Sequence, residues 1–247
     1  VDDLLIDGIS VGSVSSYTLV SIQQDYTIHA TFVLNPGVNN IDTGIEYSTI
    51  QAAIDAALAG ETIVVCPGIY YENIEFDGKD ITLQSTDPLD PDIVADTIID
   101  GGGNGSVIRF AEGDTSAIKG FTIQNGDAVY GGGIDIGSSS PTIENNIITN
   151  NTATGLGGGI RVVKSSPTII NNNITNNIAN AYGGGIYVNW DSELLPADTR
   201  PAGWGTGRED IPTVALDDPA EDVEYEIAGN TFLGNEHGTP LGYSEGV

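Results

Sequence analysis

The strongest constraint in this sequence is a repeat of 26 residues. The text "GGGIDIGSSSPTIENNIITNN" at positions 131–151 returns almost unchanged as "GGGIRVVKSSPTIINNNITNN" at positions 157–177. A fixed period in this range is typical of a solenoid, and the short alternating apolar runs favour a β-solenoid with about one turn per repeat. Each turn is predicted to hold three strands, which in the first copy are "GGIDI", "PTIEN" and "IITNN". Weaker copies precede these two ("GSVIRF", "AIKGFTIQN") and follow them ("EIAGNTFLGN").

Alignment of the copies predicts a bend and a ladder. One column contains only Gly and Asn, the residues that best tolerate a left-handed backbone, so it marks a tight bend between the second and third strands. Its members are Gly120, Asn145, Asn171 and Gly229. Side-chain amides in the next column are expected to stack turn upon turn. The members of that column are Asn146, Asn172 and Asn230.

Composition narrows the range of partners. The chain has 7 Lys plus Arg against 35 Asp plus Glu, which gives a formal net charge of -28. Nucleic acid is not expected as a partner, because binding phosphates needs a basic surface. An acidic surface also repels acidic polysaccharides unless divalent cations bridge the two. No charged-then-apolar N-terminal segment and no run of about 18 or more apolar residues is visible in this sequence, so membrane insertion is not expected.

The chain is predicted to contain three regions. Residues 1–35 show short alternating segments such as "YTIHATF" and are predicted to be the C-terminal part of a small β module. Residues 36–46 are predicted to be a linker. Residues 47–247 are predicted to form the solenoid. Its last turn is started and not finished, so it is expected to be incomplete at the C-terminus.

A short helix is predicted at about residues 48–59, before the first strand of the solenoid. Ser48 with Gln51 has the spacing of a capping box, and Gly60 lies where a C-cap glycine belongs. The helix is expected to cover the open end of the solenoid and protect the strand edges there. The apolar face predicted to be buried consists of Ile50, Ala53, Ile54, Ala57 and Leu58.

Residues 47–235 resemble the right-handed parallel β-helix superfamily of pectate lyases, pectin methylesterases and rhamnogalacturonan-degrading enzymes. The segment "YSTIQAAIDAALAGETIVVCPGIYYENIEFDGKDITLQST" is similar to the capping helix and first turn of that superfamily, and "TIIDGGGNGSVI" to a common continuation. The resemblance implies an all-β fold, a right-handed single-stranded parallel β-helix with an N-terminal capping α-helix. It is specific for fold and not for chemistry, because the same helix hosts lyases, hydrolases, esterases and pure binders.

Residues 1–35 resemble the C-terminal part of bacterial extracellular modules called internalin B-repeat-like, through "LLIDGISVGSVSSYTL" and "DYTIHATF". This second resemblance implies a multi-domain protein with further domains in the same polypeptide. Its expected location is extracellular or on the cell surface, of bacterial or archaeal type.

One outward column carries charges of alternating sign. Asp135 lies between inward Ile134 and Ile136 and therefore points out. Steps of 26 residues place Arg109, Asp135, Arg161 and Tyr187 in that column. A second column places Lys119 beside Glu144. These side chains are either cross-strand ion pairs that fix the stacking register or, for the first column, the floor of a sugar-binding groove.

An insertion of about 32 residues, at about residues 189–224, interrupts the repeat beside Tyr187. Insertions on a rigid scaffold often carry function. Exposed tryptophans could stack on sugar rings or anchor the loop, and the acidic end offers oxygen ligands suited to Ca²⁺ without the spacing of an EF-hand. The candidate substrate-binding residues here are Trp190, Trp204, Arg200 and Arg208. The candidate calcium ligands are Asp217, Asp218, Glu221 and Asp222.

Two functions stay open from the sequence. A β-helix that binds polysaccharide or acts as a rigid spacer agrees with the faithful repeats and with the missing pectin methylesterase motif "QDTL". The alternative is a polysaccharide lyase acting on an acidic glycan. Lyases of this fold use Arg or Lys as base and Ca²⁺ or Arg for the uronate carboxylate. The resemblance therefore implies Arg161 or Arg109 as base and Asp135 as a candidate calcium ligand. A hydrolase would need a second carboxylate, which the column does not clearly offer beside Asp135 but which the insertion could provide.

Overall fold

The chain divides into two units, Val1–Asn35 and Pro36–Val247. The computed structural model describes residues 3–11, 18, 27–31, 37–111, 113–189, 214–216 and 226–237. In the first unit, three strands form an antiparallel sheet in the order β2-β1-β3. They are β1 (Asp3–Ile6), β2 (Ile9–Ser10) and β3 (Ile28–Thr31). The resemblance of this unit to an internalin B-repeat-like module stays a prediction.

Apart from its first two strands, the second unit is a stack of short strands that each pair in parallel with the strand one turn away, which confirms the predicted parallel β-helix. The first sheet carries the predicted charged column. Its strands are β8 (Ile74–Glu75), β11 (Ile108–Phe110), β15 (Ile134–Gly137), β19 (Ile160–Val163), β23 (Ile186–Asn189) and β24 (Val214–Leu216). The second sheet consists of β4 (Val38–Asn40), β5 (Ile45–Tyr47), β6 (Thr62–Val65), β9 (Thr82–Ser85), β12 (Ala117–Lys119), β16 (Thr142–Glu144), β20 (Thr168–Ile170) and β25 (Glu226–Ala228).

Each regular turn has four strands, not the three that the sequence predicts. The third sheet consists of β7 (Gly68–Tyr71), β10 (Thr97–Asp100), β13 (Thr122–Gln124), β17 (Ile147–Thr149), β21 (Asn173–Thr175) and β26 (Thr231–Leu233). The fourth, unpredicted sheet consists of β14 (Asp127–Tyr130), β18 (Thr152–Leu156), β22 (Ile178–Ala179) and β27 (Glu236–His237). Its strands escaped prediction because "TATGL" contains Ala and Gly in place of alternating large apolar residues and "IA" has only two residues.

The core is a set of aliphatic columns inside the stack. Side chains alternate inward and outward along each strand, and the pairing register places every inward residue over its repeat in the next turn. Burying one such side chain stabilises the fold by about 1.5–3 kcal/mol. In the two clear repeats the inward residues are at most 1% exposed, and they are Ile134, Ile136, Ile143, Ile148, Ile160, Val162, Ile169 and Ile174.

The predicted bend is confirmed. Gly120, Asn145, Asn171 and Gly229 have φ of 76°, 56°, 56° and 66°. A second, unpredicted bend column before the fourth sheet also has positive φ, at Asn125, Asn150, Asn176 and Gly234. Both columns are occupied by Gly or Asn because these residues adopt the left-handed region at the lowest cost.

The predicted asparagine ladder is confirmed and has a counterpart. The backbone N–H groups of Asn146 and Asn172 donate to Oδ1 of Asn172 and Asn230, at 2.9 and 2.8 Å. After the second bend, Asn151, Asn177 and Asn235 form a second ladder with the same geometry, at 3.0 and 2.9 Å. These side chains satisfy backbone groups that are buried at the corners of the helix.

Helix α1 (Ile50–Ala56) is present but begins differently from the prediction. Its N-cap is Thr49, not Ser48, and the carboxylate of Glu72 accepts hydrogen bonds from Ile50 N and Gln51 N, both at 2.9 Å. Gln51 closes no capping box. Its side chain instead bonds the backbone N–H and C=O of Glu75 in β8, both at 2.9 Å.

The C-terminal end of α1 also departs from the prediction. Lys79 Nζ donates to the carbonyl oxygens of Ile54, Asp55 and Ala57 at 2.7, 2.6 and 2.9 Å, so a cation terminates the helix. Leu58, predicted to be buried, is 70% exposed because the helix has ended before it. Gly60 lies beyond the C-cap Ala57 and is not the capping glycine.

The helix packs against β4, β5, β6 and β8, at the N-terminal end of the stack, with Ile50, Ala53 and Ile54 in the core. Its role as a cap stays a prediction. Residues 36–46, predicted to be a linker, instead contain β4 and most of β5, which pair antiparallel with each other while β4 pairs with β6. A second helix, α2 (Pro91–Asp96), follows β9. Within the described residues no helix is long and apolar enough to span a bilayer.

Candidate functional site

The charged column exists as predicted and is longer. The strand register aligns Arg109 with Asp135, Asp135 with Arg161, and Arg161 with Tyr187. The register also places Glu75 in this column before Arg109, and Ala215 after Tyr187. Glu75 escaped prediction because 34 positions separate it from Arg109 instead of 26, and that turn carries α2. Ala215 lies within the insertion, which therefore contributes strand β24 to the first sheet.

The column contains two ion pairs of different character. Arg109 Nη1 lies 3.3 Å from Glu75 Oε1, and both side chains are more than half exposed. Arg161 Nε lies 3.4 Å from Asp135 Oδ1, and these side chains are only 19% and 20% exposed. Oδ1 of Asp135 is buried and accepts no hydrogen bond from the described residues, so the second pair is a close charge contact without hydrogen-bond geometry. The predicted pair on the second sheet is also present, with Lys119 Nζ 3.0 Å from Glu144 Oε2.

Tyr130 covers the inner ion pair. The guanidinium carbon of Arg161 lies 4.5 Å from the centroid of the Tyr130 ring, which is cation–π geometry. The ring lies so close to Gly155 that a Cβ at that position would be 2.9 Å from Tyr130 Cε1. The pairing of β14 with β18 shifts by one residue between Ala128 and Tyr130, a bulge opposite this ring. Bulges of this kind re-aim side chains, and here one accompanies an aromatic ring at the edge of the column.

A groove runs between the column and the fourth sheet. It has a volume of about 600 Å³ and is open to solvent. Arg109 and Asp135 come from the first sheet, the segment 127–130 from β14, and a glycine-rich turn forms the remaining wall. The groove residues are Gly103, Gly105, Ser106, Arg109, Asp127, Ala128, Val129, Tyr130, Asp135 and Thr154.

The glycine-rich turn beside the groove is held by Asp100. Its carboxylate accepts hydrogen bonds from Gly102 N, Gln124 Nε2 and Asn125 Nδ2 at 2.9, 2.9 and 2.7 Å. Burial alone would raise the pKa of Asp100, but these hydrogen bonds outweigh it and hold the pKa below its ordinary value. The carboxylate therefore stays ionised and fixes the wall of the groove.

The pKa of Asp135 is shifted in the opposite direction to that of Asp100. Burial disfavours its charged form more strongly than Arg161 and Arg109 favour it, so the pKa of Asp135 is raised above its ordinary value. The carboxylate thus has incomplete compensation for its lost hydration, which agrees with the missing hydrogen bond at Oδ1.

The remaining predicted site residues are not brought together by the described structure. Tyr187 keeps its predicted place in the column, but the residue is only 7% exposed, which corrects the expectation of an outward binding residue. Its hydroxyl accepts a hydrogen bond from Asn189 Nδ2 at 3.2 Å, and β24 continues the stack beside it. Eight predicted residues lie outside the described residues and stay predictions: Trp190, Trp204, Arg200, Arg208, Asp217, Asp218, Glu221 and Asp222. In the described part of the chain, no three His, Cys, Asp or Glu side chains are grouped to hold a metal ion.

Sequence reasoning missed Asp127 and Tyr130, although the sequence contains a signal for them. Between the second bend and the glycine corner, the turn before the first clear copy has five residues, "GDAVY", whereas the first clear copy has six, "NTATGL". A segment that is one residue shorter cannot match its neighbour along the whole strand, and the bulge between β14 and β18 absorbs the difference. The groove lies at this irregularity.

Stacked parallel strands, aliphatic columns and asparagine corners define the class of protein as a single-stranded parallel β-helix. The family model described as "Right handed beta helix region" matches residues 39–197, and the chain belongs to this family. No curated protein and no solved structure matches the chain.

Proposed function

We propose that this chain is an extracellular or cell-surface β-helix protein that binds carbohydrate in the groove beside the Arg109 column. The observation that carries the proposal is the convergence of an exposed guanidinium, a mostly buried carboxylate and an aromatic ring in one open groove. Binding sites for sugars need a few well-placed polar groups beside an apolar face, and Tyr130 with Val129 offers that face.

The rigidity of the scaffold supports the same proposal. Two asparagine ladders and the aliphatic core hold successive strands in one register, so Arg109 and Asp135 stand on strands and not on free loops. Sites built on regular elements lose little conformational freedom when a ligand binds. The same rigidity would suit a spacer between further domains of the polypeptide. If no carbohydrate binds, we propose this spacer role for the chain.

The lyase alternative needs a base that can reach the substrate. Arg161 is 19% exposed, lies under the Tyr130 ring and is paired with Asp135. Arg109 is 55% exposed and is the better placed of the two candidates. A lyase would release unsaturated uronates from pectate or alginate, with calcium added, and their ultraviolet absorbance would detect that reaction.

The test compares two matched variants. An oligosaccharide array on the whole chain identifies a binder, which is then titrated against wild type, Arg109→Gln and Lys119→Gln. Both substitutions remove a cation that forms a cross-strand ion pair, but Lys119 lies on the second sheet, outside the groove. Losing a charged hydrogen bond should weaken binding about tenfold or more in Arg109→Gln. Equal affinities in all three proteins would contradict the groove, and no binding on the array would contradict carbohydrate binding itself.

A further inference from the structure

We propose that the groove selects neutral, hydroxyl-rich glycans over glycans that carry uronate carboxylates. This inference rests on the proposed function and names the class of carbohydrate that the same groove takes. It also assigns a specificity role to Glu75 and Asp127, which the sequence pattern did not single out.

Both arginines beside the groove already form ion pairs within the protein. Arg109 lies 3.3 Å from Glu75, and Arg161 lies 3.4 Å from Asp135. Each guanidinium therefore has a carboxylate of its own in the column. Asp127 is exposed on the opposite wall and has no ion pair among the described residues. The immediate surroundings thus hold two cations and three carboxylates, which leaves a net negative charge where a uronate would have to bind.

The long-range field acts in the same direction. The whole chain has a formal net charge of -28, so a polyanion approaching the groove meets repulsion before it meets Arg109. Salt screens this field beyond about 8–10 Å at ordinary ionic strength, whereas Asp127 and Asp135 line the groove and act on a bound ligand at shorter distances, where screening is weaker. A uronate would have to displace Glu75 from Arg109 and still lie opposite Asp127.

The same groups suit sugar hydroxyls. Ionised carboxylates only accept hydrogen bonds, and each hydroxyl can donate one. Asp127 and Asp135 line the groove and offer such acceptors, while the N–H groups of Arg109 that donate to no described residue can donate to hydroxyl oxygens. One face of the Tyr130 ring is occupied by Arg161, so a sugar would stack on the remaining face or on the exposed Val129 beside it.

The decisive measurement is a selectivity ratio. Neutral galactose- or glucose-based oligosaccharides and their C6-carboxylated counterparts of equal length are titrated calorimetrically into wild type, Glu75→Gln and Glu144→Gln. Wild type should bind the neutral member about tenfold or more tightly. Glu75→Gln frees Arg109 and should shift the ratio towards the carboxylated member, in a way that added salt weakens. Glu144→Gln removes the equivalent carboxylate of the second sheet and should leave the ratio unchanged.

The outcomes separate this inference from the proposed function. Tighter binding of the carboxylated member by wild type would overturn the inference and leave carbohydrate binding standing. A ratio that Glu75→Gln and Glu144→Gln change equally would also overturn it, because the effect would then be net charge and not the groove. Failure of both members to bind would overturn the proposed function together with the inference.

Discussion

Replacing Asn172 by Ala should be one of the most damaging single changes in this protein. Asn172 is 2% exposed and is the middle member of the first ladder. Its Oδ1 accepts from the backbone N–H and side-chain amide of Asn146 at 2.9 and 3.1 Å. Its Nδ2 donates to the carbonyls of Ile143 and Ile170 and to Asn230 Oδ1, at 2.9, 3.0 and 3.0 Å. Alanine removes all five hydrogen bonds at once.

The size of the effect follows from those bonds. A typical intramolecular hydrogen bond contributes about 0.5–1.5 kcal/mol net, and a buried donor left without an acceptor costs about 1–3 kcal/mol. The buried N–H of Asn146 becomes such a donor, so the free energy of unfolding should fall by about 3–6 kcal/mol. Because one kcal/mol shifts the melting temperature of a chain of this size by about 2–4 °C, the midpoint should drop by about 6–24 °C.

Asn171 provides the matched control, since it is the adjacent residue in the same turn. It is exposed and has φ of 56°, a conformation that glycine adopts freely. Asn171→Gly should therefore stay within about 1 kcal/mol of wild type. Urea unfolding followed by circular dichroism gives both values. A loss below about 1 kcal/mol in Asn172→Ala would refute the ladder as a source of stability. If that variant does not fold, Asn230→Ala, at the half-buried end of the ladder, should show a smaller loss by the same measurement.

Two further changes test the charged groups. Lys79→Met removes the three hydrogen bonds to the C-terminal carbonyls of α1 and should lower the free energy of unfolding in urea by about 2 kcal/mol. Lys164→Met, at an exposed position, should lower it little. Equal losses in the two variants would contradict a stabilising role for the Lys79 hydrogen bonds. Burial raises the pKa of Asp135, so its contribution is present below the ordinary value of 3.8 and is lost as the pH rises through the raised pKa. The stability of wild type minus that of Asp135→Asn should therefore fall as the pH rises above about 4. Hydrogen bonds lower the pKa of Asp100, so the stability of wild type minus that of Asp100→Asn should instead fall as the pH drops below 3.8. If the two stability differences changed in the same direction with pH, the opposite pKa shifts of Asp135 and Asp100 would be contradicted.

The repeat predicts the fold because stacking imposes the same demands on every turn. Each inward Ile must lie over another aliphatic side chain, and each bend needs a residue that tolerates positive φ, so the columns of the sequence are the columns of the structure. The helix is predicted less well for the opposite reason. Its ends are satisfied by Glu72 and Lys79, which come from the following turn, and no local pattern such as Ser48 with Gln51 can identify such partners.

The candidate site likewise has features that the sequence period predicts and features that it does not. The alignment of Arg109, Asp135 and Arg161 follows from the period and is predicted correctly. The period does not predict which carboxylate pairs with Arg109, because its partner Glu75 lies across a turn of different length. The covering of Arg161 by Tyr130 depends on a bulge and on the space at Gly155, which are properties of two neighbouring turns together.

A perfectly regular solenoid presents the same surface at every turn, so it has no reason to bind a ligand at one place. Here the regular part satisfies its own groups: asparagine amides bond asparagine amides, and aliphatic side chains pack on aliphatic side chains. The groove arises where the segment between the second bend and the glycine corner is one residue shorter in one turn than in the next, and the ladder of the fourth sheet slips at Ala128 and Tyr130. The same neighbourhood contains Asp135, a carboxylate whose buried oxygen lacks a hydrogen bond among the described residues. Unsatisfied polar groups and irregular pairing cost stability, and natural proteins retain such costs mainly at functional sites. The coincidence of both at one turn is therefore the strongest physical reason to look for the ligand there, and not along the regular faces.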